Sequence, residues 1–443
     1  MPFELHSLLQ QARVWPPGTD WFVAFSGGLD STVLLKVMVE VRAAQGGELT
    51  AVHIHHGLSP QADAWAEHCS AIAARLKIPC QIVRVVARAE AGESPEAKAR
   101  DARYLALSKQ LSKNSVLVTA HHQDDQAETV LLQLLRGAGP SGLAAMPRLS
   151  VFPPGQLWRP LLEFTRADLY AQAHIWGLSW IEDHSNADTR FDRNYLRQQV
   201  TPLLSARWKA WSHTLARSAR LCAQTNELAQ RYVEALIPDW QEVLLHGLPL
   251  SKIRDKDSLT QAALLRFWLI LQDLAVPSEV QMRELINQMC HARISASPML
   301  RWPGTVVRRY RERIYAFSTQ KSLPCACPPE THWNPVKQPS YPFGDYVVKT
   351  SPTLGAGIAV RVASHGLTLG VRQPGAQCLL YNGKHQSLKV LFQTLAIPPW
   401  RRENLPLVKL DSWVIAIPGY WISPYVTAST LEQGYVLTLY YGE

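Results

Sequence analysis

The sequence predicts an α/β protein: a doubly wound parallel sheet, followed by a helical domain and a small β-rich α+β domain at the C-terminal end. Three observations lead there. Strand-like runs alternate with helix-length segments over residues 21–120, residues 208–299 carry apolar positions at helical spacing, and the last hundred residues return to short strands and turns. The runs "WFVAF" (21–25), "LTAVHI" (49–54), "CQIVRVV" (80–86) and "SVLVTA" (115–120) are short, apolar and mostly β-branched. Helical stretches separate them at 31–45, 62–76 and 95–111. Strands alternating with helices of that length imply right-handed βαβ units and a parallel sheet covered on both faces.

Further along, "LTQAALLRFWLILQDL" (259–274) is the most regular helical pattern, and "TVVRRY" and "RIYAF" after Arg301 read as strands. "PCACPPETHWNPVKQPSYPFGD" (324–345) is proline-rich without periodicity and reads as a linker. "GLTLGVRQPG" and "SWVIAIPGYWISP" then mark the β-rich end. The expected divisions are an α/β domain at 1–207, a mainly helical domain at 208–323, a linker at 324–344 and a C-terminal domain at 345–443.

Composition narrows the function classes. Of 443 residues, 47% are hydrophobic and 18% charged, which gives real cores and excludes a disordered chain. The formal net charge of +9 suits a nucleic-acid partner, although basic chains without one are common. The seven cysteines (Cys69, Cys80, Cys222, Cys290, Cys325, Cys327 and Cys378) include no C-x-x-C pair, against a disulfide framework or zinc ribbon. No segment approaches the roughly 18 to 20 apolar residues that span a bilayer. The first residues lack the basic start and apolar middle of an export signal. A cytoplasmic protein without a membrane partner is expected.

The chemistry begins at "VAFSGGLDST" (23–32), where an apolar strand opens into two glycines. A strand feeding a helix through such a turn presents backbone N–H groups and the positive end of a helix dipole to an anion. Gly27 and Gly28 let the backbone approach closely, and Ser26, Ser31 and Thr32 offer hydroxyls. Asp30 repels phosphate, so it reads as an Mg²⁺ contact or a helix cap. The blander alternative is a plain capped turn. The stretch is neither G-x-x-x-x-G-K-[ST] nor G-x-G-x-x-G. It resembles the PP-loop of the N-type ATP pyrophosphatases, which cleave ATP to AMP and pyrophosphate and leave an adenylated substrate. That resemblance implies ATP held by Ser26, Gly27, Gly28, Leu29, Asp30 and Ser31, with Mg²⁺ at Asp30.

"HHQDDQAETVLLQLLRGAGPSGLAAM" (121–146) starts at the carboxyl edge of the sheet, where α/β ligand sites occur. Asp125 and Glu128 are three apart and share one helix face, which suits an ammonium group or a metal; an acidic first turn favoured by the helix dipole is the alternative. His121, His122 and Asp124 invite a metal reading, but adjacent histidines on a strand point to opposite faces. The stretch resembles the signature of the tRNA(Ile)-lysidine synthetases, with H-H-x-x-D-Q-x-E-T and R-G-x-G-x-x-G-L-x-x-M elements. "HIHHGL" (53–58), "EAKARDARY" (96–104), "WIEDHSNAD" (180–188), "RNYLRQQVTPLL" (193–204), "VRQPG", "HQSLKVLFQ" and "PPWRRENLP" match in order. His55 departs from the Asn or Asp of many relatives.

The resemblance implies an ATP-dependent C–N ligase that joins free L-lysine to C2 of the wobble cytidine of an isoleucine tRNA with a CAU anticodon, acting as a monomer or homodimer. Asp30, Asp125 and Glu128 are the catalytic candidates. Arg100, Arg103, His121, Asn194 and Arg197 are expected to contact substrate, and Asp125 and Glu128 to hold lysine's ammonium groups. Lys384, Lys389, Arg401 and Arg402 would give the last domain a basic face for tRNA. Trp400 suits stacking on a base, although core packing is the commoner role of a tryptophan. Two other readings compete. One is another PP-loop enzyme, such as a tRNA thiolase, GMP synthetase or NAD synthetase. The other is a non-catalytic tRNA binder with a vestigial loop, against which intact Asp30, Asp125 and Glu128 weigh.

Overall fold

A computed structural model describes residues 3–55, 57, 61–85, 95–182, 188–293, 296–319, 328–380 and 384–441. Cys325, Cys327 and parts of the "HIHHGL", "WIEDHSNAD" and proline-rich stretches lie outside them. The chain divides into two compact units, Met1–Leu228 and Ala229–Glu443.

In the first unit, helix α1 (Leu5–Ala12) precedes strand β1 (Asp20–Ala24), α2 (Leu29–Gln45), β2 (Leu49–His55), α3 (Ala62–Arg75), β3 (Cys80–Arg84), α4 (Pro95–Ser108) and β4 (Ser115–Val118). Helices α5 (Gln123–Leu135) and α6 (Pro140–Leu143) follow, then β5 (Leu149–Phe152), β6 (Gly155–Trp158) and α7 (Arg166–Ile175). The strand order is β3-β2-β1-β4-β6-β5. All neighbours are parallel except β5, which pairs antiparallel with β6 at the edge.

Burial explains the layers. Trp21 and Val23 of β1, with Val116 and Val118 of β4, face a core shared with α1, α2, α3 and α7. Trp15, Trp21 and Trp158 pack with ring centroids 4.9–5.9 Å apart there. Val52, Leu117 and Leu157 face the other way, onto Leu107 of α4. Helix α2 is buried at nine positions and not along one stripe, because it packs on the sheet and also against α1 and α7.

The chain runs β1, β2, β3 toward one edge and then returns to place β4 on β1's other side. The switch point therefore lies between β1 and β4, and the crevice outside their carboxyl ends is where such sheets bind ligands. Residues 25–28 and 121–125 leave from those two ends. Helices α8 (Asp192–Tyr195), α9 (Thr201–Arg207) and α10 (Trp211–Leu236), with a π-helical turn at Leu196–Val200, complete the unit and carry the chain out of it.

The second unit opens with α11 (Trp240–His246), β7 (Leu248–Pro249), α12 (Ser258–Ile270) and α13 (Glu279–His291), then β8 (Met299–Trp302), β9 (Thr305–Tyr310) and β10 (Arg313–Ser318). Asp257 and Ser278 cap α12 and α13, whose Leu264, Trp268, Met282 and Leu285 share a core with Val307 and Ile314. The remaining strands form two sheets. Strands β11 (Thr331–Trp333) and β12 (Ser340–Phe343) come from the expected linker. β12 pairs with β13 (Tyr346–Leu354), which pairs with the last strand, Gln433–Tyr441; β11 pairs with Leu367–Gly370.

This unit corrects two expectations. Within the proline-rich stretch, Thr331–Trp333 and Ser340–Phe343 are strands of two sheets, so this part does not form a free tether. The expected basic face is also incomplete: Lys384 and Lys389 are exposed, but Arg401 is 8% exposed and donates from Nη1 to Leu245 O. Arg402 donates to Ile397 O at 2.9 Å and to Tyr310 Oη at 3.3 Å. Trp400 packs edge-on against Tyr310, Tyr315 and Phe317 at 5.6–6.0 Å, so its role is internal packing.

Candidate active site

After β1 the ladder ends with Phe25 N–H donating to Val52 O at 2.9 Å, and the chain turns through Ser26, Gly27 and Gly28 into α2. Gly27 has φ +81°, and a Cβ there would lie 2.8 Å from Cys69 Sγ and 3.2 Å from Ile181 Cδ1. Only glycine satisfies both constraints. Gly28 begins the helix with extended geometry, and no side chain caps the helix there. A Cβ at Gly28 meets only ordinary contacts, so its bareness leaves room in front of the loop and not behind it.

The loop hydroxyls are placed differently from the expectation. Ser31 Oγ and Thr32 Oγ1 donate to Gly28 O at 3.1 and 2.9 Å, and Ser31 Oγ lies 3.0 Å from Ser26 Oγ. Thr32 is 1% exposed. These groups stitch the turn together, leaving the amides of α2's first turn as the donors the loop can offer an anion. Leu29 is buried and contributes backbone alone. Asp30 does not cap the helix. Its Oδ1 is buried without a hydrogen-bond partner among the described residues, and burial raises its carboxyl above the usual range, with His122 opposing and Asp125 adding to the rise.

Across the switch point, His122 and Asp125 form a capping box at the start of α5. His122 N–H donates to Asp125 Oδ2 at 3.0 Å, and Asp125 N–H donates to His122 Nδ1 at 3.4 Å. An accepting Nδ1 places the imidazole proton on Nε2, which lies 3.4 Å from Asp125 Oδ2 and 3.8 Å from Asp30 Oδ2. His122 thus stands between Asp30 and α5, 3.8 Å from the Asp30 carboxylate, a placement the sequence did not reveal. His121 sits beside it with Nδ1 2.9 Å from Thr119 Oγ1. Burial pushes its imidazole down to about 3; Asp125 opposes this, while Arg159, Arg193 and Arg100 reinforce it. His121 is neutral at physiological pH.

Asp125 and Glu128 do lie side by side, as their spacing predicts, but they are not free carboxylates awaiting an ammonium group. Arg193 Nε donates to Glu128 Oε2 at 2.9 Å, and Arg197 Nε to Glu128 Oε1 at 2.8 Å. Both guanidiniums also reach Asp125 Oδ1, at 3.2 and 3.0 Å. Two carboxylates and two guanidiniums balance in a nearly closed cluster, with Glu128 3% and Asp125 13% exposed. Burial pushes Asp125 upward, but His122, Arg193 and His121 outweigh it and hold the carboxyl at about 2. Arg193 was missed in the sequence, although it and Arg197 are four apart, the spacing of helical neighbours. Arg193 lies in α8 and Arg197 in the π-helical turn that follows it, Leu196–Val200.

The other candidates occupy supporting positions. Asn194 Nδ2 donates to Asp188 O at 3.0 Å and so braces the segment carrying both arginines. Arg100 and Arg103 lie exposed on α4, Arg100 over the Tyr104 ring at 5.1 Å. Gln126 exchanges two hydrogen bonds with Met146, at 2.8 and 2.9 Å, which folds the glycine-rich end of the motif back onto α5. His55 is buried against Asp63 at 3.2 Å. Among the described residues no three His, Cys, Asp or Glu side chains converge as a metal-ion cage, and no helix is long and apolar enough to cross a membrane.

A PP-loop domain model matches residues 4–204, a TilS substrate binding domain model 248–315 and a TilS substrate C-terminal domain model 367–439. The tRNA(Ile)-lysidine synthase of Methylococcus capsulatus is 39% identical over 414 residues, 92% of this chain and 93% of that protein. The Escherichia coli O157:H7 enzyme of the same name is 38% identical over 90% of this chain and 92% of its own. That of Coxiella burnetii is 35% identical over 98% and 96%. A U34-tRNA thiolase structure from Methanococcus maripaludis aligns more loosely, with TM-score 0.43 and 16% identity over 49% of this chain and 80% of that one. With the phosphate loop, the His–His–Asp–Glu segment and the C-terminal unit all matched along nearly the whole length, the chain belongs to the tRNA(Ile)-lysidine synthase family.

Proposed function

We propose that this chain joins lysine to C2 of the wobble cytidine of a CAU-anticodon isoleucine tRNA in the cytoplasm, consuming ATP. The observation that carries the reading is the β1–β4 switch point. There the uncapped start of α2 and the Asp30 oxygen, which has no partner among the described residues, stand beside the charge-balanced cluster on α5. In the first step the cytidine O2 attacks the α-phosphate of ATP; the new P–O bond forms as the bond to pyrophosphate breaks. In the second, the lysine ε-amine attacks C2, AMP departs with the oxygen, and the amine loses a proton.

The α2 amides hold the phosphates and need no reorganisation as charge moves onto the departing pyrophosphate. A buried carboxylate oxygen without a partner fits an Mg²⁺ ion, which typically takes one or two carboxylates together with substrate phosphates. Asp30 would hold it, and the ion would neutralise phosphate charge. Lysine reaching Asp125 and Glu128 enters a cluster already balanced by Arg193 and Arg197, so its ammonium must exchange with a guanidinium. Carboxylates around an ammonium raise its pKa above the ordinary value of roughly 10.4, so these groups bind lysine and do not activate it.

The test is which product depends on which substrate. Pyrophosphate release should require tRNA, and AMP release should require lysine in addition. ATP consumption independent of RNA would point to another PP-loop activity, and release of neither product to a non-catalytic binder.

A further inference from the structure

The phosphate loop has a floor that none of the residues discussed so far supplies. Phe25 O is the first carbonyl after the β1 ladder ends, and it immediately precedes Ser26, Gly27 and Gly28. The side chain of His53, on neighbouring β2, takes it: His53 Nδ1 lies 3.0 Å from Phe25 O. A carbonyl only accepts, so Nδ1 carries the proton. His53 is 6% exposed, and burial holds its imidazole below the ordinary histidine range, so it is the neutral donor. Cys69 Sγ lies 3.3 Å from the same nitrogen and also fills the space behind Gly27. The backbone of Gly27 is held as well: Ile181 N–H donates to Gly27 O at 2.9 Å.

We propose that His53 is a positioning residue for the adenylation step: its Nδ1–H on the Phe25 carbonyl, backed by the Cys69 thiol, fixes the angle at which the loop leaves the sheet. This rests on the ATP reading given above. The imidazole touches no substrate. A shift of the Phe25 peptide would tilt the Gly27–Gly28 turn and the α2 amides together, because those groups are consecutive and Gly27 O is tied to Ile181 N–H.

The test uses His53→Leu, which fills the volume without a donor, and His53→Asn, whose amide places a donor near the Nδ1 position. ATP-analogue binding is measured by calorimetry on the full chain, and kcat and KM for ATP, lysine and tRNA are measured separately. The Leu variant should lose about ten- to a hundredfold in kcat/KM for ATP, the scale of a misplaced reacting group, with the tRNA Kd unchanged. The Asn variant should return to within a few-fold of the original protein. Two results would overturn the proposal: a Leu variant with unchanged ATP parameters, or a folded Asn variant as impaired as Leu. Should Leu fail to fold, Asn alone decides on the same criterion. Failure of the unaltered protein to bind the analogue would instead refute the ATP reading itself.

Discussion

Replacing Glu128 with alanine separates the two roles its position allows. Glu128 accepts three bonds from two guanidiniums, from Arg193 Nε at 2.9 Å and from Arg197 Nε and Nη2 at 2.8 and 2.9 Å. Its carboxylate is 3% exposed, so solvent cannot replace it. Removing it leaves two cations facing Asp125 alone. Breaking a buried ion pair by deleting one partner costs about 3–5 kcal/mol, because the remaining charge is uncompensated. The solvent-accessible sides of Arg193 and Arg197, 24% and 36% exposed, favour the lower end. The loss should appear in the urea unfolding transition of the first unit, and Glu128→Gln, which keeps an acceptor, should lose less. A double-mutant cycle with Arg197→Gln should give a coupling of about 1–3 kcal/mol. If Glu128 served only as a lysine contact, stability and adenylation rate would be untouched and lysine KM alone would rise; that pattern refutes the charge-balanced cluster.

Further outcomes follow from the same geometry. Asp30→Asn and Ser31→Ala should abolish tRNA-dependent AMP release while leaving tRNA binding nearly intact; near-normal release from Asp30→Asn would contradict the loop assignment. Gly27→Ala should lose ATP binding, since φ +81° and the 2.8 Å approach to Cys69 both oppose a Cβ, and adding Cys69→Ala should restore it only in part, which ATP-analogue titration can check. Asp125 has its carboxyl depressed from 3.8 to about 2, so its contribution is present above pH 4 and disappears as pH falls toward 2. That difference corresponds to about 2 kcal/mol, and acid unfolding of Asp125→Asn should lack this part of the pH dependence. In the second unit, Arg401→Ala should lower thermal stability without changing the salt dependence of tRNA binding. Lys384→Ala with Lys389→Ala should shallow the salt slope by up to about 0.9 per lost phosphate contact, and an unchanged slope would remove that face from the RNA path.

The parts of the fold governed by local pattern were legible. β1 to β4 and α2 to α4 appear within a few residues of their expected places, because parallel strands buried on both faces need continuous apolar runs. The β5–β6 hairpin was not legible: two consecutive prolines, Pro153 and Pro154, interrupt "LSVFPPGQLW" and break its strand pattern. The same bias turned residues 328–343 into a linker. β11 and β12 are edge strands, where Pro342 removes no needed ladder donor.

At the site, the sequence placed Asp125 and Glu128 on one helix face, since helix spacing determines where those side chains emerge. It did not show what neutralises them, because Arg193 and Arg197 reach Glu128 across 65 and 69 residues. Nor did it show that Arg401 and Arg402 turn inward, since basic composition says nothing of which way a guanidinium points. Deleting residues from 324 onward is therefore a poor test of tRNA selection: it would strip Trp400, Arg401 and Arg402 from Tyr310, Tyr315 and Leu245 and damage the remaining part.

The most direct measurement is nucleoside analysis by mass spectrometry of a CAU-anticodon isoleucine tRNA after incubation with the protein, ATP and isotopically labelled lysine. One labelled lysine should appear on the wobble cytidine, only when ATP is present, and methionine tRNA with the same anticodon should stay unmodified. An unmodified isoleucine tRNA from a folded protein that binds both ATP and tRNA would contradict the account.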